Sequence, residues 1–568
     1  MSVSTLETHR RTASHPDPDT PGPKPSGPAV PVPGRGGVAA VDFRLPGPPD
    51  DRERDSYLTD QHRWLGPATF VGYALIVISV GFFVGAHRWA LWLLLPLAVS
   101  TLATAASLVT TIRRSRVSLA GHRTLVDTWT PDRVPSVDVF LPSAGEDLDV
   151  IANTFTYVAQ LRWGGDLCVH VLDDSARPEV QHLADVHGFT YLTRPDRGHL
   201  KKAGNLLYGY QHSEGDLIAI FDADFVPRAD FLHELVPYFD DPVTAIVQSP
   251  QYFDVHPGMN WLQRAAGATQ VLFYRYVQPS RDASGAAICV GTSAMYRRAG
   301  LADSGGFAQI SHSEDVHTGV NLMEAGYTVR YVATVVSKGT CPDTFAAFVT
   351  QQYRWCGGSM SLLGSRRFHR VNLTFMQRLC FWSGFLFYIS TALDLITTAA
   401  PALLMAFFAG SQVRVQNYIF VLLALVVRQA LIPFITGGTD SLVGLSRVQT
   451  VYSVAHLVQL WDLITRRKDE GWVATGAAKG SNRARRIIRT ARVWLVGNQL
   501  LLWGVVAWRT PEYGISHYWP MVAFGLLSLY MAYPIITANE HLPAALRVAR
   551  HVVDTGRTRT LRATAAGS

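Results

Sequence analysis

Acidic side chains that follow short β-rich segments are the residues of this chain best placed to do chemistry. Asp222-Ala223-Asp224 comes directly after the apolar segment Leu217–Phe221, and Asp173-Asp174 comes after Cys168–Leu172. Two carboxylates one residue apart at the end of a buried strand suit a divalent cation, because hard cations prefer carboxylate and phosphate oxygens. Asp is also common in turns and as a helix cap, so each pair has a purely structural interpretation as well.

A basic segment lies between these two acidic pairs. Lys201-Lys202 precedes Ala203-Gly204-Asn205 at the start of a predicted helix. A basic residue beside a small-residue turn suits a phosphate-bearing ligand, although a solvated basic helix end would have the same composition. Ser143 stands in the turn after a third β-rich segment, Val137–Leu141, and belongs to the same set of strand ends.

Two motifs farther along the chain combine charged groups with predicted helices. Ser313-Glu314-Asp315 precedes the helical segment 316–325, where the acids either cap the helix or let Asp315 accept a proton from a hydroxyl nucleophile. Gln351-Gln352-Tyr353-Arg354-Trp355 lies close to an apolar segment. An Arg-Trp pair there is either an interfacial anchor or a sugar platform with a cation aimed at a diphosphate.

The elements that position these groups follow from the pattern between residues 137 and 221. Short β-rich and helical segments alternate there, which predicts a parallel α/β sheet. Ligands of such sheets bind beyond the carboxyl ends of the strands. Acids that converge at that edge repel one another unless a cation or the hydrogen-bond donors of a ligand lie between them. We therefore expect one polar cleft at this edge.

The composition excludes a wholly soluble protein. Of the 568 residues, 48% are hydrophobic and 17% are charged, against about 25% charged in ordinary soluble domains. Five cysteines without a Cys-x-x-Cys pair argue against a disulfide framework and a zinc ribbon. The net charge of +7 comes mostly from arginines beside apolar segments, which indicates an anionic membrane surface and no nucleic acid.

Six apolar segments are long enough to cross a bilayer, which takes about 20 residues. Arg113, Arg114 and Arg116 follow the second segment, and further arginines follow the sixth. By the positive-inside rule, the domain after the second segment and both termini are then cytoplasmic. The six segments are 68–86, 89–112, about 379–409, 417–436, 493–509 and 518–537.

Polar residues within these spans allow two interpretations. Asp394, Arg428, Asn498 and Gln499 lie inside the apolar segments. Ionisable groups in spans usually face protein or water. They therefore either line a path for a polar substrate or pair with one another, as Asp394 could with Arg428.

The pattern as a whole predicts seven regions. The proline-rich first residues cannot bury enough apolar surface to fold, and the amphipathic stretch 444–465 fits a helix on the inner membrane surface. The regions are a disordered cytoplasmic tail (1–60), a transmembrane hairpin (61–112), a cytoplasmic α/β domain (113–378), transmembrane helices 3 and 4 (379–436), an interface helix with a loop (437–489), transmembrane helices 5 and 6 (490–540), and a basic cytoplasmic tail (541–568). The family resemblance described next implies that the α/β domain is catalytic and that the loop is of a gating type.

The order and spacing of the motifs resemble those of the processive family 2 glycosyltransferases, specifically bacterial cellulose synthases and cellulose synthase-like proteins. The family pattern is D,D; DxD; TED; QxxRW, and the third element reads Ser313-Glu314-Asp315 in this chain. The connecting segments 137–142, 202–206, 247–251 and 305–307 are similar too, and the resemblance extends from about residue 65 to 540. It implies an α/β GT-A glycosyltransferase domain inserted in a multi-span α-helical membrane domain.

The resemblance also implies roles for individual residues. Asp315, with Glu314 beside it, is the implied catalytic base, and Asp222 and Asp224 are the implied ligands of Mg²⁺ or Mn²⁺. Trp472 and Thr475 are implied in a gating loop. Nucleotide-sugar binding is implied for Ser143, Asp173, Asp174, Lys202, Asp222, Arg354 and Lys479. Acceptor binding is implied for Cys289, Gln351 and Trp355.

The activity that the resemblance implies is inverting, processive transfer from a UDP-sugar, preferably UDP-glucose, to a growing cellulose-like β-glucan that is exported through the membrane. The implied partners are the UDP-sugar, the nascent polysaccharide, the lipid bilayer and extracytoplasmic modifying or export proteins. The implied location is the inner (cytoplasmic) membrane. Alternatives that stay open are an N-acetylglucosamine-containing polymer, non-processive transfer to a lipid acceptor, and a catalytically silent transporter or scaffold.

Overall fold

The computed structural model describes residues 45–59, 64–86, 88–112, 115–256, 258–397, 399–400, 419–436, 442–467 and 481–538. Within these residues, ten strands form two sheets. The strands are β1 (Val137–Ser143), β2 (Leu167–Asp173), β3 (Thr190–Leu192), β4 (Leu217–Ile220), β5 (Phe225–Pro227), β6 (Thr244–Gln248), β7 (Tyr252–Asp254), β8 (Ala294–Arg297), β9 (Thr328–Tyr331) and β10 (Ser337–Thr340).

The larger sheet has seven strands in the order β3-β2-β1-β4-β8-β6-β9. Strands β1 to β4 run parallel, and β8 is antiparallel to both β4 and β6. Ser143 pairs with Asp173 in the register of β1 and β2, so the carboxyl ends of these strands lie side by side. The predicted parallel α/β sheet is confirmed, and its strand ends share one edge.

Every residue of β1 and β4 is buried, as parallel strands with helices on both faces require. Helix α7 packs on β1 and β2, and α5 packs on α6. The helices of this α/β part are α4 (Leu119–Thr128), α5 (Leu148–Val158), α6 (Pro178–His187), α7 (Lys201–Gln211), α8 (Phe231–Leu235), α9 (Trp261–Leu272), α10 (Gln278–Ala283), α11 (Arg298–Ser304), α12 (Glu314–Glu324), α13 (Phe345–Leu363) and α14 (Arg366–Arg370).

The smaller sheet has three strands in the order β5-β10-β7. Strand β5 begins directly after Asp224, and β10 pairs with it in antiparallel register, with Gly339 opposite Phe225. A methyl group at Gly339 would lie 2.6 Å from the Phe225 ring. The absence of a side chain at Gly339 therefore lets Phe225 pack flat on β10.

Eight further α-helices among the described residues flank the α/β part: α1 (Asp51–Thr59), α2 (Leu65–Ala86), α3 (Leu94–Thr111), α15 (Phe375–Thr397), α16 (Ile419–Thr436), α17 (Leu442–Ile464), α18 (Asn482–Tyr513) and α19 (Ile515–Thr537). Four segments among the described residues are long and apolar enough to span a membrane: Leu65–Gly85, Ala90–Thr111, Phe375–Thr397 and Ile515–Thr537.

These four segments coincide with the first, second, third and sixth predicted spans. The fourth span corresponds to α16, whose apolar segment Ile419–Phe434 is shorter. The fifth, 493–509, is not a separate helix but the second half of the 32-residue helix α18, which begins among arginines. The predicted interface segment forms α17, which packs on α9, α13 and α15.

Helix α1 corrects the predicted extent of the disordered tail. Backbone N–H groups of Asp50 and Glu53 donate to each other's carboxylates at 2.9 and 2.8 Å, which caps the helix. Tyr57 and Leu58 are buried. The proline-rich composition averaged over residues 1–60 hid this short helix. Residues 1–44 lie outside the described residues, as does the predicted basic tail 541–568.

Candidate active site

Lys202 stands at the centre of the candidate site. Its ammonium group donates to the Asp222 carboxylate and, at 2.7 Å, to the Gly291 carbonyl. Burial opposes the charge of Lys202, but the negative charges of Asp222, Glu314 and Asp315 raise its pKa above the usual value. Lys202 therefore stays protonated and gathers acids from the end of β4 and the start of α12 around one cation.

The surroundings of Asp224 disfavour the ionised form of its carboxylate. Burial, together with the charges of Asp222 and Glu146, raises the pKa of Asp224 to about 7. Burial also raises the pKa of Glu146. Acids held together against their mutual repulsion fit a hard divalent cation, which would neutralise them. No three His, Cys, Asp or Glu side chains form a ready metal cluster in the described part of the chain, so ligand oxygens would complete the coordination.

Glu146 is the acid that sequence reasoning did not include in the site. It lies in the turn after β1, where its carboxylate accepts from the Ala144 N–H at 2.7 Å. Its charge acts on Asp224, which places it at the same sheet edge. The sequence signal that could have indicated Glu146 was its position in the turn after β1, because β1 lies beside β4 in the sheet.

Asp315 faces the same cleft from the first turn of α12. Burial and the neighbouring charge of Glu314 raise the pKa of Asp315 to about 7. A methyl group at Gly291, where φ is +79°, would lie 2.9 Å from the Asp315 carboxylate. Glycine at this position therefore lets the loop before β8 approach the carboxylate closely, while its carbonyl binds Lys202.

Arg354, on α13, is affected by the same acids as Lys202. Burial lowers the pKa of Arg354, and the charges of Glu314, Asp222 and Asp224 counteract this effect. Because these acids also surround Lys202, the site combines two cations with carboxylates from separate elements. The sequence-predicted meeting of the Asp222, Asp315 and Arg354 motifs in one region is thus what the structure contains.

Two glycines next to Trp355 explain how α13 fits between its neighbours. A methyl group at Gly358 would overlap the Ser313 side chain, directly before Glu314, and one at Gly357 would lie 2.7 Å from the Gln459 amide nitrogen. Ser313 itself has a left-handed backbone with φ of +55°. Close helix packing therefore depends on the absence of side chains at these two positions.

Both acids of the first pair, Asp173 and Asp174, accept hydrogen bonds from other groups of the protein. Asp173 is fully buried and accepts from Ser143 Oγ at 3.2 Å, Tyr191 Oη at 3.0 Å and the backbone N–H groups of Ser175 and Arg177. Asp174 forms two hydrogen bonds with the buried Arg194 guanidinium, at 2.7 and 2.8 Å. These acids order the turns after β2, and Tyr191 and Arg194 are partners that sequence spacing did not indicate.

The residues implied in acceptor binding and in the gating loop lie in different parts of the chain. Cys289 is 1% exposed, and its Sγ lies 2.9 Å from Tyr296 Oη in the core. The charges of Asp315 and Lys202 act on this thiol, and its implied acceptor role stays a prediction. Gln351 and Trp355 lie half-buried on α13. The loop residues Trp472, Thr475 and Lys479 lie outside the described residues.

A cluster that we call the clasp joins α13 to α17 and α18. Tyr353 Oη donates to the Asp462 carboxylate at 2.8 Å, and Arg486 donates to both oxygens of the same carboxylate. The Arg483 guanidinium lies over the Tyr353 ring, 4.7 Å from its centroid. Since Tyr353 directly precedes Arg354, the clasp fixes α13 to the start of the 32-residue helix α18.

A cavity of about 570 Å³ runs along α18 beyond the clasp. The Asn498 side-chain oxygen is buried there without a hydrogen-bond partner among the described residues, while its amide nitrogen donates to the Trp494 carbonyl. The lining residues are Ala399, Arg486, Arg489, Thr490, Val493, Trp494, Gly497, Asn498 and Leu501.

The other polar residues of the spans have protein partners. Asp394 accepts from Ser100 Oγ at 2.7 Å, and Arg428 donates to the Gln449 side chain at 2.9 Å. Gln499 donates to Ser528 Oγ at 2.8 Å. Of the two interpretations left open above, the pairing of Asp394 with Arg428 is not what the structure contains, because each side chain has a partner of its own.

Known proteins are similar to parts of this chain. Residues 217–431 match the family model described as Glycosyl transferase family group 2. Cellulose synthase 1 of Komagataeibacter xylinus is 32% identical over 279 residues, which cover 48% of this chain and 18% of that protein. The UDP-forming cellulose synthase catalytic subunit of Pseudomonas fluorescens is 32% identical over 285 residues, which cover 49% of this chain and 38% of that protein.

Among solved structures, the mannosyltransferase PcManGT from Pyrobaculum calidifontis, in complex with GDP-Man and Mn²⁺, covers 65% of this chain and 98% of its own. Its sequence identity is 18% and the TM-score is 0.45. This chain matches less than two fifths of the length of the cellulose synthases above, at 18% and 38%.

A parallel sheet whose strand ends bring acids and two cations to one edge has the architecture of a GT-A-like α/β domain. Residues 217–431 match the group 2 glycosyl transferase family model, and about half of the chain is similar to cellulose synthase catalytic subunits. The resemblance that the motif order suggested is confirmed at this level.

Proposed function

We propose that this protein is an inverting, processive glycosyltransferase that moves glucose from UDP-glucose to the end of a β-glucan and passes the polymer across the membrane. The observation that carries the proposal is the convergence of Asp222, Asp224, Asp315 and Arg354 on one cleft beside Lys202. The cellulose synthases among its relatives support the polymer, and the UDP-forming subunit supports the nucleotide.

In this proposal, Asp222 and Asp224 would hold Mg²⁺ or Mn²⁺. When bound, such a cation would supply positive charge to offset that of a departing diphosphate. The raised pKa of Asp224, caused by burial and by Asp222 and Glu146, supports this placement because it marks negative charge that lacks compensation.

Asp315 is the proposed proton acceptor. A carboxylate whose pKa burial has raised to about 7 is suited to take a proton from a hydroxyl group near neutral pH. The freed oxygen attacks the anomeric carbon from the side opposite the phosphate, and UDP leaves with the bonding electron pair. One displacement converts an α-linked donor into a β-linked product without a covalent enzyme intermediate.

Lys202 and Arg354 are proposed to bind the departing diphosphate. Both are positioned in advance by acids and backbone groups, so little reorganisation is required when charge develops. Trp355 would stack on the acceptor sugar, with Gln351 beside it, and such positioning contributes several kcal/mol of barrier reduction in general. The turns ordered by Asp173 and Asp174 would receive the uridine.

The cavity along α18 supports export of the polymer. Trp494 offers an aromatic surface, and the Asn498 oxygen is an acceptor without a partner among the described residues, a combination that suits the apolar faces and hydroxyl groups of sugars. We place the protein in the inner membrane, with the catalytic domain and both termini cytoplasmic. Packing of α1 on the α/β domain supports the same side for that helix.

The test is a donor screen with the purified protein in lipid nanodiscs. We expect UDP release with UDP-glucose, dependence on Mg²⁺ or Mn²⁺, and a product that a β-glucan-specific hydrolase degrades. Full activity in excess EDTA would rule out the metal role of Asp224. Use of UDP-N-acetylglucosamine alone, or a product confined to the organic phase, would favour a different polymer or a lipid acceptor instead.

A further inference from the structure

Residues 45–59, which we call the strap, lie against the small sheet formed by β5, β10 and β7. The Arg54 carbonyl accepts from the Val335 N–H at 2.9 Å, and the Pro46 carbonyl accepts from the Asn153 amide at 2.9 Å. None of the steps proposed for sugar transfer involves this segment. Besides contacts with the helices α4, α5 and α8, it has several contacts with the small sheet, whose strand β5 follows Asp224.

Arg228 joins the strap to the end of β5. Its guanidinium donates to the Pro49 carbonyl at 2.7 Å, to Asp51 at 2.9 Å, and through two nitrogens to Asp230, each at 2.9 Å. Only the three residues of β5 separate Arg228 from Asp224. The strap therefore holds the strand that leaves the acidic motif at its far end.

Lys338 joins the strap to β10, the partner strand of β5. Its ammonium group donates to Glu53 at 2.7 Å, and it pairs with Val226 in the strand register. The preceding residue, Ser337, forms a hydrogen bond with Ser293. The loop that carries Ser293 also contains Thr292, whose Oγ accepts from the Asp222 N–H at 2.9 Å.

Apolar contacts keep the strap in place. Tyr57 is 4% exposed, and its ring meets the Tyr252 ring of β7 edge-on at 5.7 Å between centroids. The Arg275 guanidinium lies 5.8 Å from the Tyr57 ring centroid. With Tyr57 on β7, Glu53 on β10 and Asp51 at the end of β5, the strap touches all three strands of the small sheet.

We propose that the strap positions the metal-binding acids, with Asp51 and Glu53 acting through Arg228 and Lys338 to fix the strand that follows Asp224. Carboxylates that repel one another separate unless the backbone around them is held, and a metal site formed in advance binds more tightly than one that must be assembled. Asp51 and Glu53 are thus positioning residues. The inference rests on the metal role proposed above.

The experiment measures binding of MnCl₂ to the full-length protein in nanodiscs with UDP present, by isothermal titration calorimetry. We expect Glu53→Gln and Asp51→Asn each to weaken Mn²⁺ binding by about fivefold, the lower range of measured coupling between sites. Binding of UDP without metal should stay unchanged. The charge exchange Glu53→Lys with Lys338→Glu should restore most of the Mn²⁺ affinity.

Arg133→Met is the matched control. Arg133 is 77% exposed and forms an ion pair at 2.7 Å with Asp216, which precedes the first residue of β4, at the end of that strand away from Asp222. It should leave Mn²⁺ binding at the wild-type value. If Glu53→Gln and Asp51→Asn bind Mn²⁺ like wild type and lower only the thermal midpoint, the strap is merely structural. If the wild-type protein itself binds no Mn²⁺, the proposed metal role fails, and this inference fails with it.

Discussion

At the scale of single residues, the surroundings of Asp315 lead to a prediction about pH, because its carboxylate is the proposed proton acceptor. Only the ionised carboxylate accepts a proton, and burial with the Glu314 charge raises its pKa to about 7. Lowering the pH below 7 therefore removes the active form. With metal and donor saturating, we expect kcat to fall about tenfold for each pH unit below the pKa.

The control for this pH profile is Asp315→Asn, which should lower kcat by about 10²- to 10⁴-fold while UDP binding stays at the wild-type level. Asp303→Asn, at a surface acid bonded to Tyr327, should change neither value. A kcat that stays constant from pH 5.5 to 8 would contradict the assignment of Asp315 as the proton acceptor.

Asp224 leads to a prediction about stability. Burial and the charges of Asp222 and Glu146 raise its pKa to about 7 in the folded state, so the folded protein loses stability as the pH rises from the unfolded value near 4 to about 7. Asp224→Asn should therefore raise the thermal midpoint of the metal-free protein by a few degrees at pH 8, where about 1 kcal/mol corresponds to about 2–4 °C.

The difference between wild type and Asp224→Asn should shrink toward pH 5, and MnCl₂ with UDP should stabilise only the wild type. Differential scanning fluorimetry in detergent measures both effects. A variant that is less stable than wild type at pH 8 would show that the Asp224 carboxylate is already compensated by the protein.

Residue type predicted the acids and cations of the site, whereas their partners required the structure. Asp222 and Asp315 were recognisable by their motifs, but Glu146 stands in a polar turn that resembles an ordinary connection. Arg194 escaped notice because its partner, Asp174, lies 20 residues away in sequence. The contact of Cys289 with Tyr296 in the core is a further partnership that the local sequence does not indicate.

At the scale of elements, local pattern predicted the parallel strands and the long helices. It could not predict α1, because that helix is short and stabilised by contacts with β5, β7 and β10, which are distant in sequence. The extent of α18 was missed for a related reason. Its first turns carry arginines that reduce the hydropathy, although the clasp and the neighbouring helices hold them in a helix.

The packing of α13 against the loop before α12 gives an element-scale prediction. Gly358→Ala places a methyl group on the Ser313 side chain, and such overpacking costs about 1–3 kcal/mol. We expect the displaced helix to carry Arg354 away from the acids, so that KM for UDP-glucose rises. Steady-state kinetics and the thermal midpoint measure the two consequences.

Gly364→Ala is the matched control on the same helix end, because a methyl group there would lie no closer than 3.5 Å to any neighbour. The double variant with Ser313→Gly should recover the wild-type KM, since it removes the overlapping side chain and glycine readily adopts the left-handed backbone of that position. Failure of this rescue would mean that the helix contact does not position Arg354.

At the scale of the whole molecule, α18 connects the transfer site with the membrane region. Arg486 belongs to the clasp beside Tyr353 and also lines the cavity, so one side chain contacts both parts. The sequence indicated membrane spans and a catalytic domain separately. The structure adds that α18, which follows the predicted gating loop, contacts α13 through its first turns and lines the cavity farther along.

If the cavity carries the growing polymer, changing its lining should shorten the product without slowing the chemistry at the acids. Trp494→Ala and Asn498→Leu remove the aromatic surface and the amide oxygen that has no hydrogen-bond partner among the described residues, so a chain held there dissociates earlier. We expect shorter glucans in a size-exclusion profile, with initial UDP release within about twofold of wild type, because neither side chain belongs to the transfer site. Val496→Ala, on the same helix but absent from the lining, is the control and should give full-length product. Equal product lengths for all three variants would place the polymer path elsewhere and leave the transfer mechanism intact.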